Sequence, residues 1–204
     1  SHLSQNGIAG FLLANGALSG DGTELAIRRK LIENDLVEAI IILPRNLFYT
    51  TDISVTLWIV NKNKKARTVL QNGTPKVYRD RSGEILFMDL RQMGSPFEKK
   101  YVELTAEDRA KVADTFHTWQ IKEWTKEDNV PEYCYSAAFD EVKEKGFSLV
   151  PSKYIEFVNR DENIDYDTKM CELQAELTDL LKQEEQSKQD LLAVFKELGY
   201  EIKL

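Results

Sequence analysis

Val37-Glu-Ala-Ile-Ile-Ile-Leu-Pro44 is the stretch that decides the fold, because it is β-branched, almost wholly apolar and ends at a proline. Such a run is typical of a central strand covered on both faces. An earlier apolar run bounded by glycines, Gly7-Ile-Ala-Gly-Phe-Leu-Leu-Ala-Asn-Gly16, predicts a second buried strand. Between them, Asp21-Gly-Thr-Glu24 offers an N-cap with an acid three residues on, and predicts a helix to about Asn34. Strand, helix and strand in this order indicate a parallel βαβ unit with a right-handed crossover.

The run Ile53-Ser-Val-Thr-Leu-Trp-Ile-Val60 predicts a third strand. The loop before it, Pro44 to Asp52, is too short for a crossover helix, so this strand must run antiparallel to a neighbour. Residues 61–83 are polar and basic around the turn signal Asn72-Gly73, which predicts a loop or an exposed hairpin. Ile85-Leu-Phe-Met-Asp-Leu90 then predicts a further strand at an edge of the sheet.

The second half of the chain has mainly helical signals. Thr105-Ala-Glu-Asp108 is a capping box and predicts a helix that reaches Trp119 or Trp124. Residues 130–151 mix aromatic and charged side chains, and we expect irregular structure with room for a short strand. A long amphipathic helix of roughly 30 residues is predicted by apolar residues that recur in steps of four and three: Leu173, Leu177, Leu180, Leu191, Val194 and Leu198. Such a helix must pack on its own domain or on another chain.

Composition excludes several classes of protein. With 42% hydrophobic residues among 204, the chain can bury a core. It has neither a run of ~20 apolar residues nor the layout of a signal peptide, so we expect no membrane span and a cytoplasmic location. The two cysteines and two histidines have no ligand spacing, so no metal site is predicted.

The charge is uneven along the chain. The first 100 residues carry 14 Lys and Arg against 10 Asp and Glu, and the remainder carries 13 against 24. This asymmetry suits a protein with one face that meets an anion and another that meets a protein partner. Uneven surface charge on a protein without such partners explains it equally well.

About 50 residues carry a resemblance to a known family. They comprise Asn15 at the end of the first strand, then Ile-Arg-Arg-Lys-Leu-Ile-Glu-Asn-Asp-Leu-Val-Glu-Ala-Ile-Ile-Ile-Leu-Pro (27–44), Asn-Leu-Phe-Tyr (46–49) and Ile-Ser-Val-Thr-Leu-Trp-Ile-Val-Asn-Lys (53–62). In amino-acid sequence and in order these segments closely resemble the modification subunit of type I restriction-modification systems. A later segment, Gly-Phe-Ser-Leu-Val-Pro-Ser-Lys-Tyr (146–154), is similar to the segment that precedes the C-terminal helices in this family.

The resemblance implies an α/β fold. It would hold the C-terminal strands of a Rossmann-like, S-adenosylmethionine-dependent methyltransferase sheet, followed by a mostly helical region with a long amphipathic helix. Residues 7–62 would be the last three strands of that sheet. The implied division of the chain is a C-terminal part of the catalytic domain (1–100), a helical or irregular connector (101–165) and a long subunit-docking helix (166–204).

The implied activity is transfer of a methyl group from S-adenosylmethionine to N6 of adenine in DNA, with sequence recognition by a separate specificity subunit. The family's glycine-rich donor loop and its catalytic Asn/Asp-Pro-Pro-Phe/Tyr tetrapeptide do not occur in this sequence, which has no Pro-Pro pair. We therefore expect that both lie upstream, that no catalytic residue is present, and that this chain alone is inactive and binds no cofactor. Because it starts at Ser1 without methionine, we interpret it as a fragment.

Two groups of site residues follow. Enzymes of this kind flip the target base out of the duplex and stack it on apolar or aromatic side chains, and the resemblance nominates Phe48 as one wall, with Tyr49 and Thr51 beside it. The alternative is that Phe48 only plugs the end of the sheet. In the basic segment, candidates for contact with the DNA backbone are Lys62, Lys64, Lys65 and Arg67; the alternative is a solvated loop.

The expected partners are DNA and the specificity and restriction subunits of the same system. The C-terminal helix would dock on the specificity subunit, unless it packs within its own chain. The strand Ile8 to Ala14 should expose an unpaired edge, which predicts self-association or shielding by the N-terminal residues. Two other interpretations stay open: a non-catalytic assembly module that binds partner subunits and DNA, and an unrelated nucleotide-binding α/β fold. The second lacks support, because no glycine-rich phosphate loop follows a strand.

Overall fold

The computed structural model describes residues 3–71, 73–158 and 165–199. They form two compact units, and the boundary between the units follows Val158. The strands and helices are, in chain order, β1 (Ile8–Ala14), α1 (Thr23–Glu33), β2 (Val37–Ile42), β3 (Val55–Asn61), β4 (Arg67–Gln71), β5 (Thr74–Tyr78), β6 (Glu84–Asp89), β7 (Ser95–Phe97), β8 (Tyr101–Glu103), α2 (Ala106–Ile121), β9 (Cys134–Ala138), α3 (Phe139–Glu144) and α4 (Tyr166–Glu197). The fold is therefore mixed α/β with a C-terminal helix.

Five of the described strands form the main sheet, in the order β1-β3-β2-β6-β9. β3 lies between β1 and β2 and runs antiparallel to both, so that Trp58 stands opposite Phe11 on one side and Ile40 on the other. This confirms the antiparallel third strand that the short loop requires. β1 and β2 are consequently parallel to each other, as the strand-helix-strand pattern predicts, although they are not neighbours.

Two predictions about strand position are wrong. β1 is not buried, since Ile8 and Leu12 are 51% and 46% exposed, although its place at the edge of the sheet agrees with the unpaired edge that we expect of this strand. β6 is not an edge strand, because it pairs in parallel with β2 on one side and antiparallel with β9 on the other. The strand that covers β6 comes from residues 134–138, beyond the reach of a local pattern. The first unit consequently continues well past residue 100, through Val158.

The main sheet is covered on both faces. Successive residues of β2 alternate between two core clusters, with Ile40 and Ile42 in one and Ala39 and Ile41 in the other. Elements α1 and α3 contribute Ile32 and Val142 to the first cluster, and α2 contributes Trp119 to the second. The apolar, β-branched composition of β2 thus has the physical cause that the sequence predicts, namely burial on both faces.

The helix boundaries agree in part with the sequence. The capping box of Thr105 and Asp108 is confirmed at α2, where each side chain binds the other's backbone NH. The helix α1 begins instead after Gly22, without a side-chain cap from Asp21. Residues 61–83 do form a hairpin, from β4 and β5. Residues 130–151 include the short strand β9 and also a short helix, α3, that the pattern did not indicate.

The second unit consists, in its described part, of the helix α4. The Asp165 side chain caps it by accepting a hydrogen bond from the Asp167 NH. The apolar residues with four-and-three spacing are exposed in this structure, between 48% and 66%: Leu173, Leu177, Leu180, Leu191, Val194 and Leu198. No helix among the described residues is long and apolar enough to cross a membrane.

Candidate functional site

One edge of the sheet gathers the segments that leave its parallel strands. β1, β2 and β6 run in the same direction, so their carboxyl ends meet at what we call the carboxyl edge. In α/β folds ligands bind in the crevice outside the carboxyl ends of parallel strands. The loop of residues 43–54 follows β2 here, and residues 90–105 follow β6 and include the hairpin β7–β8.

The structure separates the three predicted residues of the base pocket by their exposure. Phe48 is half-buried and packs against the core cluster on the α2 face, while its carbonyl accepts a hydrogen bond from the Thr51 NH at 3.4 Å. The Thr51 hydroxyl accepts from the Ile53 NH, so it stabilises the loop. Tyr49 is 70% exposed. Within this loop, Tyr49 is therefore the aromatic ring most accessible to a ligand.

The hairpin β7–β8 supplies a partner for Tyr49. The ring of Tyr101 contacts that of Tyr49 edge to face, with centroids 4.7 Å apart and planes at 69°. The Val102 NH donates to the Asn46 carbonyl at 3.0 Å, which ties the hairpin to the loop. Sequence reasoning missed Tyr101, because the two tyrosines are about 50 residues apart and belong to elements with no common pattern.

The two segments enclose an open cavity of about 390 Å³. The residues that line it include Leu47, Tyr49, Phe97, Tyr101 and Arg109. This volume falls in the range of small-molecule sites, about 300–1,000 Å³. The arrangement can hold a flat apolar group against aromatic rings, with a cation close by.

A second cavity of about 540 Å³ adjoins it and is lined by Arg45, Asn46 and Arg91 among others. The Arg91 guanidinium hydrogen-bonds the Asp89 carboxylate at 2.6 Å, and this bond raises the pKa of Arg91. The Asn46 side-chain oxygen is buried and accepts no hydrogen bond within the described part of the chain. The carboxyl edge thus combines two arginines with an unused acceptor.

The predicted DNA-backbone residues lie elsewhere. β3 is antiparallel to β2, so its last residue, Asn61, and the lysines after it are at the amino edge of β2, opposite the Phe48 loop. The seven residues of β3 separate the two groups by about 23 Å. Lys62 and Lys65 are exposed. Arg67 is half-buried, donates to the Asn63 carbonyl at 2.7 Å and lies over the Tyr78 ring.

Lys64 must be withdrawn as a DNA-backbone candidate. Its side chain is 1% exposed, pairs with Asp35 and donates to the carbonyls of Val37 and Glu84 at 3.0 and 2.7 Å. Burial also lowers the pKa of its ammonium group. All of these contacts tie the segment after β3 to the main sheet, so the amine is unavailable to a phosphate.

Lys64 belongs to a buried polar network at the amino edge. Glu38 and Arg81 are both fully buried, and the Arg81 guanidinium donates to a Glu38 oxygen at 3.1 and 3.2 Å. Asn61 donates to the other Glu38 oxygen at 2.9 Å, and Gln120 donates to the first at 3.3 Å. Both Glu38 oxygens thus accept hydrogen bonds from within the protein, which indicates a structural role.

The turn after β1 contains three glycines, Gly16, Gly20 and Gly22, the residue type on which a methyl-donor loop depends. The Arg28 guanidinium fills its inner side and donates to the carbonyls of Ala17 and Gly20 at 3.1 and 3.0 Å. The Gly20 NH is already bonded to the Gly16 carbonyl at 2.8 Å. The residues present therefore do not fit a cofactor loop. Likewise, the described residues include no group of three or more His, Cys, Asp or Glu side chains arranged to hold a metal ion.

A family model and two related proteins of known family all match this chain to DNA methylases. A family model described as N-6 DNA Methylase matches residues 1–163. The type I restriction enzyme HindI methylase subunit of Haemophilus influenzae is 36% identical over 206 residues, which cover 98% of this chain and 42% of that protein. The MjaIX methylase subunit of Methanocaldococcus jannaschii is 32% identical over 201 residues, covering 98% of this chain and 33% of that protein. The chain thus spans less than half the length of these two relatives.

Solved structures share the fold. The type I restriction-modification methyltransferase subunit from Streptococcus thermophilus superposes with a TM-score of 0.61 at 23% identity, over 76% of this chain and 28% of that one. The type I restriction enzyme EcoKI M protein gives a TM-score of 0.52 at 16% identity, over 96% of this chain and 42% of that one. At these identities the likeness concerns the fold alone.

Proposed function

Because the chain belongs to the N-6 DNA methylase family, we propose that it is part of a type I modification subunit, an enzyme that transfers a methyl group from S-adenosylmethionine to N6 of adenine in DNA. The observation that carries this proposal is the 36% identity to a type I methylase subunit over 98% of the chain. The main sheet would then be the C-terminal strands of a Rossmann-like methyltransferase sheet. The donor loop and the catalytic tetrapeptide would come from residues outside this sequence.

The part of the reaction assigned to this chain is binding of the target base. A flipped base needs an aromatic or apolar wall and exclusion of water. Tyr49, exposed beside the cavity at the carboxyl edge, suits the wall. Phe48 and Thr51 would hold the loop in place, through core packing and hydrogen bonds of the loop backbone. Lys62, Lys65 and Arg67 remain proposed contacts for more distant DNA phosphates.

This proposal is tested by methyl transfer. We expect that the 204-residue chain neither binds S-adenosylmethionine in a calorimetric titration nor methylates DNA, since it supplies no donor loop. A version extended at the amino terminus to the length of the relatives should do both. The matched control is the extended version with its Asn/Asp-Pro-Pro-Phe/Tyr tetrapeptide changed at the first residue, which should bind the cofactor without transferring methyl groups. Tight cofactor binding by the short chain would contradict our assignment of its strands.

The alternative function, a non-catalytic assembly module, is favoured by one observation. The helix α4 leaves an apolar series exposed, including Leu173, Leu177 and Leu191. We propose that it is an amphipathic helix that docks on the specificity subunit, with the restriction subunit joining the same assembly. The two functions are compatible, and they separate if the extended version assembles with its partners but transfers no methyl group.

The free edge of β1 predicts self-association of this chain. Within the described residues β1 pairs with β3 alone, and unpaired apolar edges recruit other strands. Leu12→Lys, at a residue 46% exposed in β1, should shift a concentration-dependent dimer to monomer in sedimentation velocity. Leu70→Lys, at a residue 78% exposed in β4, is the matched control and should leave the dimer intact. A wild-type chain that stays monomeric at high concentration would count against the prediction.

A further inference from the structure

We propose that the hairpin β7–β8 and Tyr49 form a stacking platform for unpaired DNA bases, with Lys99 and Lys100 binding the phosphates beside it. The inference rests on the proposed function for its ligand, DNA. It extends the site from the loop of residues 43–54, which contains Tyr49, to the hairpin β7–β8. We use "platform" for the rings of Tyr49, Phe97 and Tyr101.

The hairpin holds its aromatic residues and its lysines together. Phe97 and Tyr101 are directly opposed across the two strands, so their side chains share one face. The three residues between them, Glu98, Lys99 and Lys100, form an exposed tip, in which Glu98 has a φ of 54°. Two cations therefore lie within a few residues of two aromatic rings, on one turn.

The hairpin is fixed to the sheet as well as exposed. Gly94 has a φ of 97°, and a Cβ there would lie 2.6 Å from Val102 Cγ1 and 3.0 Å from the Glu103 carbonyl oxygen. Only glycine permits this close approach. Two further contacts join the hairpin to the loop of residues 43–54, namely the hydrogen bond from the Val102 NH to the Asn46 carbonyl and the contact between the Tyr49 and Tyr101 rings. The platform is therefore built from two separate segments of the carboxyl edge.

The charges around the platform favour a nucleic acid over an apolar protein surface. Lys99 and Lys100 form no ion pair with any described residue, so their charges are available to a ligand. Arg109, whose guanidinium donates to the Leu104 carbonyl, adds a third cation, so the cations outnumber the carboxylates of Glu98 and Glu103. Proteins that bind single-stranded nucleic acid combine such cations with rings on which bases stack. The chain as a whole carries a net charge of −7, so general attraction cannot explain DNA binding and a local site is required.

The test is fluorescence anisotropy with a fluorescein-labelled single-stranded oligodeoxynucleotide of mixed sequence, and with its duplex as comparison. Tyr49→Ala and Tyr101→Ala should each weaken binding of the single strand by about 5- to 150-fold, the range for loss of one stacked base. Tyr101→Phe should restore it, because the ring is kept. Tyr166→Ala, at a residue 76% exposed on α4, is the matched control and should have no effect.

The lysines are tested through the salt dependence. Lys99→Gln with Lys100→Gln should reduce the slope of log K against log salt by about 1.4, since each phosphate contact on a single strand contributes about 0.7. The matched control is the pair Lys30→Gln with Lys143→Gln, at exposed lysines of α1 and α3 to which no DNA contact is assigned, and it should leave the slope unchanged. The inference is overturned if the substitutions at Lys99 and Lys100 change the slope no more than the control pair does, if correctly folded Tyr101→Ala binds like the wild type, or if the wild type binds no oligonucleotide.

These outcomes are distinguishable from failure of the proposed function. If the extended version methylates DNA while the tyrosine variants bind like the wild type, the platform is wrong and the methyltransferase assignment stands. If the platform binds DNA and the extended version transfers no methyl group to adenine, the platform stands and the methyltransferase assignment is wrong.

Discussion

Glu38→Ala should lower the free energy of unfolding by about 3–5 kcal/mol, the cost of leaving one partner of a buried ion pair without the other. Glu38 and Arg81 are both 0% exposed in their side chains. After the substitution the Arg81 guanidinium keeps its bonds to the carbonyls of Arg79 and Gln120, but its charge has no carboxylate. The amide donors of Asn61 and Gln120 lose an acceptor as well.

The measurement is urea unfolding followed by tryptophan fluorescence, because Trp58, Trp119 and Trp124 all report on residues 1–158. The matched control is Glu33→Ala, which breaks the exposed pair with Arg29 and should change stability by about 0.5 kcal/mol or less. In a double-mutant cycle, adding Arg81→Ala should cost less in the Glu38→Ala background than in the wild type. Equal losses for Glu38→Ala and Glu33→Ala would mean that the network is solvated.

The network also explains why the sequence misassigned Lys64. In a run such as Lys62-Asn-Lys-Lys65 every lysine looks like a solvated surface residue, and no local pattern marks the one that turns inward. Burial of Lys64 depends on Asp35 and on the carbonyls of Val37 and Glu84. The first two are contributed by the segment around the start of β2 and the third by β6. A contact set assembled from distant segments cannot be predicted from residue order.

Local signals were reliable where one segment contains the whole cause. The capping box of Thr105 and Asp108 needs only four residues, and α2 begins where it predicts. The antiparallel direction of β3 follows from the length of one loop. The burial of β1, by contrast, depends on which distant elements cover its faces. Its apolar composition therefore indicated burial that this structure does not provide.

The candidate site likewise contains residues that the sequence predicts and one, Tyr101, that it does not. The loop with Phe48, Tyr49 and Thr51 was found because its residues are consecutive and lie within the stretch that resembles the family. Tyr101 was missed because its contact with Tyr49 depends on how the hairpin β7–β8 packs against that loop. Nothing in Phe-Glu-Lys-Lys-Tyr (97–101) distinguishes a stacking platform from an ordinary surface turn until the second tyrosine is placed beside it.

Phe87→Ala should cost about 3–5 kcal/mol of stability, as large-to-small changes of aromatic residues in a packed core do. Phe87 is 0% exposed and stacks on the Tyr154 ring, with centroids 4.1 Å apart and planes at 9°. Its strand, β6, is held between β2 and β9, so the cavity cannot be filled by movement of an edge. The Tyr154 ring is restrained from following the lost ring, because its hydroxyl donates a hydrogen bond to the Ser148 carbonyl at 2.5 Å.

The size of this effect distinguishes the two positions that have been assigned to β6. An edge strand, as the sequence predicted, would let solvent and neighbouring side chains relax into the space, and Phe87→Ala would then cost less than about 2 kcal/mol. The matched control is Phe157→Ala, at a residue 46% exposed, which should cost about 0.5 kcal/mol or less. Urea unfolding by tryptophan fluorescence measures both. If Phe87→Ala and Phe157→Ala lower the free energy of unfolding by similar amounts, β6 is an edge strand and β9 does not pair with it. The residues that follow β6 at the carboxyl edge would then start from an edge strand rather than from a strand held on both sides.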